Sequence, residues 1–547
     1  MNVRRLQVWR SPPDQPPWAR PTLLGIAAAS AVMYGWGAGR TLEVYYAAAV
    51  RSMAMSWHNF VFASFDPAGT VTLDKLPGAF WVQALSVRLF GVHEWAIILP
   101  QVVEGTTTVL VLYHAVRRLA GPVAAIAAAL VLAVAPATVA LDRGNISDTA
   151  MVLLVVLAAD AMVSALTRER VRSLVLVGLW VGLAFQTKMI EAWLVLPPLV
   201  LAYLVAAPGT WRRRLTGIGA VSVVTAAVSL SWMTVVSLVP TARRPYVDGS
   251  QTDSLFHQVF VYNGFGRLDQ ASPNQLLTQA IGIGRLTSAA PTWDRLFAGS
   301  FGRDTGWMLP AAFIALVIGL VARRGRPRED LVRAGLIMWG GWLLVLTLVF
   351  TASSTINSYY TAALSPAVGA VLGIGVVQAW EHRTSMMTRL IVAGVVLITA
   401  GYAAWLLPAA GTGVAPWLAP VVVIIGLAAA TGVVAFGGSA STSHGARAAI
   451  GACAIAVLLV PAVASTSIVA NRLGPFDTPF QPVVVTNYTR LLFGRSVAVA
   501  AGIPILIRTQ GSAPDLLATQ TSALAAPYIY QSGREVLPIG GFTGTIP

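Results

Sequence analysis

Long apolar runs separated by short polar breaks organise this chain. Each run is roughly 17–25 residues long, enough for a helix to cross about 30 Å of hydrocarbon. Thirteen such spans are predicted, near 21–37, 98–116, 120–141, 148–166, 172–187, 190–208, 215–239, 307–322, 333–351, 360–379, 389–407, 415–437 and 447–466. Two breaks are much longer than the rest, about 38–97 and 240–306, and a tail follows from about 467. The pattern predicts an all-α polytopic membrane protein with an N-terminal segment (1–20), a membrane bundle (21–466) and a C-terminal segment (467–547). Arg4, Arg5 and Arg10 before the first run resemble the start of a signal peptide. With so many spans following, that run is read as an uncleaved anchor.

Charge fixes the expected orientation. With the N-terminus in the cytoplasm, alternate breaks carry Arg117 and Arg118, then Arg168, Arg170 and Arg172, then Arg212 to Arg214, Arg323 to Arg333, Arg383 and Arg389, and Arg447. These segments hold 20 of the 37 basic residues against five carboxylates, as the positive-inside bias requires. Both long loops and the tail then fall on the extracytoplasmic side of the plasma membrane, together with the only lysines, Lys75 and Lys188.

Composition narrows the function. Of the 547 residues, 56% are hydrophobic and only 11% charged, too apolar a balance for a water-soluble domain. The net charge of +15 is scattered between spans, with no basic stripe or aromatic platform, which excludes a nucleic-acid partner. No GxxxxGK[ST] loop points to a nucleotide. Cys453 is the only cysteine, so disulfides and Cys-based metal sites are excluded.

The polar residues that remain gather in the outer loops. In the first loop, Tyr45 to Met55 reads as an amphipathic helix suited to lie in the interface plane, followed by Trp57, Trp81, Asp66 and the Asp74-Lys75-Leu76-Pro77 turn. Asp142-Arg143 with Asp148 stands at the mouth between spans three and four. Lys188, Arg244 with Tyr246, and Asn357 with Tyr359 and Tyr360 fall on the same face. A sugar on a lipid phosphate offers an anion at headgroup level and a polar ring just outside it. Lys or Arg holds such a phosphate and stabilises its charge as it leaves, a carboxylate takes the proton of an attacking hydroxyl, and aromatic rings stack on sugar or prenyl groups. Plainer readings stand beside this one: Asp142-Arg143 as a snorkelling pair, Arg244 as a boundary anchor, and Glu104 and Asp160 as hydrogen-bonding groups between helices.

Tyr45-Tyr46-Ala47-Ala48-Ala49-Val50-Arg51-Ser52-Met53, Phe65-Asp66-Pro67, Asp74-Lys75-x-Pro77, Asp142-Arg143-x-Asn145-x-x-Asp148, Thr187-Lys188-Met189, Arg244-Pro245-Tyr246, Tyr262-Asn263-Gly264 and Tyr359-Tyr360-Thr361 follow one another in the order found in a known family. The set resembles bacterial GT-C superfamily glycosyltransferases of family 39, the protein-mannosyltransferase and aminoarabinose-transferase-like proteins of actinobacterial type. The resemblance implies a GT-C bundle with interfacial helices in the first outer loop and a polyprenyl-phosphate-linked sugar donor, mannose first among candidates. It further implies inverting direct displacement onto an acceptor protein or cell-wall glycan. Candidate catalytic carboxylates are Glu43, which aligns with the family's presumed base, Asp66, Asp74 and Asp142. Candidate donor-binding residues are Lys75, Arg143, Asp148, Lys188, Arg244, Tyr246, Asn357, Tyr359 and Tyr360. Three places depart from the family pattern: Leu42 stands at the Asp of the family's first-loop Asp-Glu pair, Leu76 for a proline and Asn357-Ser358 for His-Pro. Metal use stays open between a divalent cation, Mg²⁺ or Mn²⁺, and charge neutralisation by Lys75 and the arginines. The tail from Ala523 to Gly544 resembles the start of a small outer domain. Transfer of arabinose, or donor binding or flipping without catalysis, are the competing functions.

Overall fold

The structure is a computed structural model that describes residues 9–168, 170–269, 291–354, 356–407, 415–439, 443–476 and 497–542. Parts of the predicted second loop and of the tail lie outside these residues. The helices used below are α1 (Ala19–Gly35), α2 (Val44–Met55), α3 (Trp57–Phe62), α4 (Gly78–Phe90), α5 (Glu94–Ala133), α6 (Pro136–Asp142), α7 (Asp148–Arg168), α8 (Val171–Lys188), α9 (Leu196–Ala206) and α10 (Trp211–Ser237). They continue with α11 (Leu309–Ala322), α12 (Leu331–Ala352), α13 (Ser365–Glu381), α14 (Met386–Leu406), α15 (Leu418–Phe436), α16 (His444–Ala470), α17 (Val497–Thr509) and α18 (Ser522–Ser532).

Among the described residues, ten helical segments are long and apolar enough to cross a membrane, where the hydrophobic pattern predicts thirteen spans. The difference has identifiable causes. The first predicted span is α1, which has 17 residues. Glu94–Ala133 is one 40-residue segment that contains two predicted spans, and its helix breaks at Ala120 and Gly121. Gly121 stands at φ +83°, a conformation in which a residue with a Cβ is strained, and Pro122 follows it. Val171–Ala206 likewise contains two predicted spans, α8 and α9, joined by a 3₁₀ segment, Met189–Val195.

In lipid the hydrophobic effect does not draw helices together, so small residues that allow close backbone approach do much of the packing. The contact of α13 with α5 shows this: a Cβ on Gly369 would stand only 2.7 Å from the Ala128 carbonyl oxygen. Helix ends are closed by polar side chains where the sequence supplies them. Asp330 accepts from the Arg333 N–H at 2.7 Å at the start of α12, and Thr210, Ser443 and Thr521 cap α10, α16 and α18. Asp160 of α7 bonds His114 Nδ1 at 2.8 Å and Arg118 at 2.5 Å on α5, the interhelical role expected of it. Glu104 Oε2 is buried without such a partner.

The first loop departs from expectation in one respect. Helix α2 does not lie at an interface: Val44 to Val50, Ser52 and Met53 are all buried. Two neighbours cover the face that the sequence assigns to lipid, α4 on one side and α18 of the tail on the other. Most exposed apolar residues of this loop sit instead on α3 and α4, with Trp57, Val61, Val82, Leu85, Leu89 and Phe90 outward, and on α2 only the terminal Met55 joins them. Between α3 and α4 the chain turns back beside the second loop, where Thr72 N–H donates to Tyr246 O and Tyr246 N–H to Thr70 O, each at 2.9 Å. The tail adds a two-stranded parallel ladder, β1 (Ala518–Thr519) with β2 (Leu537–Pro538), flanking α18.

Candidate active site

The Asp74-Lys75 turn is held from three directions. Asp74 N–H donates to Tyr45 Oη at 3.3 Å from α2, Asn263 Nδ2 donates to Asp74 O at 2.6 Å from the second loop, and Gln258 Nε2 donates to Leu73 O at 2.7 Å. Lys75 Nζ lies 2.9 Å from Asp74 Oδ2, with both side chains buried, and 5.8 Å from the centre of the Tyr46 ring. Asp74 Oδ1 is buried without a hydrogen-bond partner.

A second pair faces the first. Lys188 ends α8, and its Nζ lies 2.8 and 2.7 Å from the two oxygens of Asp148, the first residue of α7. The same ammonium stands 4.1 Å from the centre of the Tyr360 ring and 5.1 Å from that of Tyr359, which holds Asn357 Nδ2 on its hydroxyl at 3.1 Å. Arg267 completes the set: its guanidinium lies 5.1 Å from the Tyr262 ring and donates to Asn263 Oδ1 at 3.1 Å. Arg267 is within electrostatic reach of Asp74, Tyr359 and Tyr360, and Glu191 is within reach of Lys188, Asp148, Arg267 and Lys75. Three cations from three separate parts of the chain therefore share one polar cluster with Asp74, Asp148 and Glu191, rimmed by tyrosines. Arg267 and Glu191 are absent from the residues that the sequence singles out, and Tyr262 enters there only as part of a family motif. Arg267 is one arginine among many, and Glu191 falls in an apolar run.

The other candidates are placed elsewhere or engaged in holding the backbone. Glu43 caps α2, with Oε1 accepting from Tyr45 N–H at 3.1 Å and Oε2 from Tyr46 N–H at 2.7 Å. Burial pushes its carboxyl up to about 8, against the pull of those two N–H bonds. Both oxygens of Asp66 accept backbone N–H bonds from Thr70, and Oδ1 also from Val71. Asp142 accepts from Thr149 Oγ1 at 3.0 Å and is pressed against Gly105. Arg143 donates to Leu473 O at 3.1 Å and to Met33 O, so it ties α1 to the segment after α16. Arg244 binds Asp253 at 2.8 Å and organises the second loop, and the backbone of Tyr246 pairs with the first. Trp57 stacks under Arg88 at 3.9 Å on the exposed face, and Trp81 donates to Phe60 O. Of the four carboxylates that sequence proposes as catalysts, Asp74 alone offers an oxygen with no partner beside the cations.

A divalent metal in this cluster would have to draw on the carboxylate oxygens that stay unpartnered, Asp74 Oδ1 and Glu191 Oε1. Such an ion takes several oxygens at once, whereas Lys75 occupies one oxygen of Asp74 and Lys188 both oxygens of Asp148. Among the described residues no three His, Cys, Asp or Glu side chains gather as ligands. A set of buried ammonium and guanidinium groups beside a carboxylate suits an anion whose charge grows during reaction.

Residues 74–233 match the family described as dolichyl-phosphate-mannose-protein mannosyltransferase. The chain is 28% identical to a putative mannosyltransferase of Bacillus subtilis (strain 168), YkcB, over 96% of this chain and 85% of the relative. Among solved structures it resembles ArnT from Cupriavidus metallidurans bound to undecaprenyl phosphate, with a TM-score of 0.54 at 19% identity, covering 95% of this chain and 85% of that one. It also resembles the Archaeoglobus fulgidus oligosaccharyltransferase tethered with an acceptor peptide, with a TM-score of 0.54 at 13% identity, covering 95% of this chain and 63% of that one.

Proposed function

We propose that this multi-pass membrane protein is a GT-C superfamily glycosyltransferase that transfers mannose from a polyprenyl-phosphate donor to a hydroxyl acceptor at the extracytoplasmic face of the membrane. The observation that carries this reading is the pairing of two buried lysines, Lys75 and Lys188, with carboxylates on either side of one tyrosine-lined cluster. A donor phosphodiester brings one negative charge there and leaves as a phosphate carrying more. Lys75, Lys188 and Arg267 stabilise that increase where water is excluded. The acceptor oxygen attacks the anomeric carbon, the bond from that carbon to the phosphate oxygen breaks, and the acceptor proton passes to Asp74 Oδ1. One displacement inverts the anomeric configuration. The alternation of arginines along the chain supports the outward placement of the cluster. The mannosyltransferase relatives support mannose, and the neighbour bound to undecaprenyl phosphate supports a polyprenyl carrier.

The test is transfer from radiolabelled polyprenyl-phosphate-mannose by the purified protein, comparing wild type with Asp74→Asn and Lys75→Ala. Loss of transfer in variants that still bind undecaprenyl phosphate or unfold at the wild-type temperature supports the assignment. Transfer from an arabinose donor but not the mannose donor would replace the sugar and keep the site. No turnover of either donor would favour a donor-binding or flipping protein.

A further inference from the structure

The tail of the chain packs against the loops that hold the candidate active site. The ladder of β1 and β2 fixes the tail's direction: Leu537 N–H donates to Leu517 O, Ile539 N–H to Thr519 O and Gly540 N–H to Gln520 O, at 2.9 to 3.0 Å. Gly541 then turns at φ +64°, its carbonyl accepting from Ser522 N–H, and delivers Phe542 onto the first loop. The Phe542 ring lies 4.5 Å from the Tyr45 ring, which stacks at 4.9 Å on Phe65 beneath it. The Phe542 N–H donates to Asp248 Oδ2 at 2.7 Å, and Asp248 is fully buried. Asp248 in turn links the two outer loops: its own N–H donates to Thr72 Oγ1 at 3.1 Å, and its carbonyl accepts from Gln258 Nε2 at 2.8 Å. Farther back, Arg51 of α2 donates to Tyr530 O at 2.5 Å at the end of α18.

These contacts converge on one residue. Phe542 fixes the Tyr45 ring, and Tyr45 Oη accepts the Asp74 N–H. Gln258, bonded to Asp248 and to Leu73 O, holds the residue before Asp74. We infer that the tail segment 537–542 is a clamp on the Asp74-Lys75 turn, with Phe542 and Tyr45 acting as positioning residues for catalysis. The inference rests on the proposed role of Asp74 and Lys75, and it assigns to the tail a part in the reaction and not only in stability. Displacing a reacting group by about 1 Å costs roughly 100-fold in rate. Releasing the turn therefore lowers kcat far more than it alters binding of the prenyl chain.

The full-length protein is tested as Phe542→Ala, Phe542→Leu and Tyr45→Phe, the last keeping the ring stack but deleting the bond to Asp74. Expected is a fall in kcat of about 10- to 100-fold in Phe542→Ala and Tyr45→Phe, with the donor KM within about 3-fold of wild type. Phe542→Leu, which retains bulk, recovers most of the rate. Hydrogen exchange supplies the arm that needs no turnover: amides of residues 70–76 exchange about 10-fold faster in Phe542→Ala, while those of α5 and α13 keep their protection. A wild-type kcat in both Phe542→Ala and Tyr45→Phe, or unchanged exchange at 70–76, overturns the clamp. If the wild type itself turns over no donor, the functional reading fails, and the exchange result still decides whether the tail holds the turn. If Phe542→Ala does not fold, Tyr45→Phe decides, because it removes one hydroxyl and leaves the packing in place.

Discussion

The Lys188–Asp148 pair can be divided into a structural and a catalytic share. Both oxygens of Asp148 point at one ammonium, at 2.8 and 2.7 Å, and the two side chains are only 2% and 5% exposed. Lys188→Met keeps length and apolar volume but leaves a buried carboxylate unpaired, which costs about 3–5 kcal/mol of stability. Asp148→Asn leaves a buried ammonium beside tyrosine rings and within reach of Glu191 alone among carboxylates, and a cost of up to the same order is expected. The double variant carries no buried charge at either position, so most of the loss is recovered, and the cycle gives a coupling of at least about 4 kcal/mol. Activity behaves differently. The double variant lacks one of three cations facing the phosphate, and loss of one such stabilising group lowers kcat about 10²–10³-fold. The assays are denaturant or thermal unfolding in a fixed detergent and transfer from a labelled polyprenyl-phosphate sugar. A double variant that regained both stability and transfer would refute the catalytic share. Single variants as stable as wild type would refute the structural share.

Three further outcomes follow from the placement of other groups. Burial raises the Glu43 carboxyl to about 8, so the folded protein holds that proton more tightly than the unfolded chain. The stabilisation is complete below the ordinary glutamate range, about 4.3, and is lost as pH rises through about 8. Raising pH from 6 to 9 therefore lowers the unfolding temperature of wild type more than that of Glu43→Gln, and equal slopes in the two proteins would contradict this. Because both Glu43 oxygens cap α2, the same variant keeps transfer within about 10-fold of wild type, whereas Asp74→Asn does not. Arg143→Gln weakens the tie to Met33 O and Leu473 O, lowering stability by about 1–3 kcal/mol while leaving the donor KM unchanged; a raised KM would return Arg143 to the phosphate. Treatment with EDTA leaves most transfer intact if the lysines and Arg267 neutralise the phosphate unaided. Activity recovered only on adding Mg²⁺ or Mn²⁺ would reverse that assignment.

How much of this was legible in the sequence depends on how locally each feature is encoded. The long apolar helices were readable because each is a continuous apolar run, and two pairs of predicted spans merge in the structure, one across the break at Ala120 and Gly121 and one through the 3₁₀ segment between α8 and α9. Lys75 and Lys188 were readable because lysine is so rare in this chain that each one demands a reason. Arg267 and Glu191 were not, since nothing in their immediate surroundings separates them from a topology signal and an isolated carboxylate. Their meaning arises only when the second loop and the 3₁₀ segment after α8 fold against the same lysines. The converse case concerns Glu43, Asp66 and Arg143, whose structural contacts a sequence does not display. Residue type and position made each a candidate, but backbone N–H and C=O groups, which a sequence does not place in space, hold their polar atoms. Helix α2 was misplaced for the same reason. Its apolar face is covered by α18, a helix more than 450 residues later in the chain, and only that non-local contact distinguishes a buried helix from one lying in lipid.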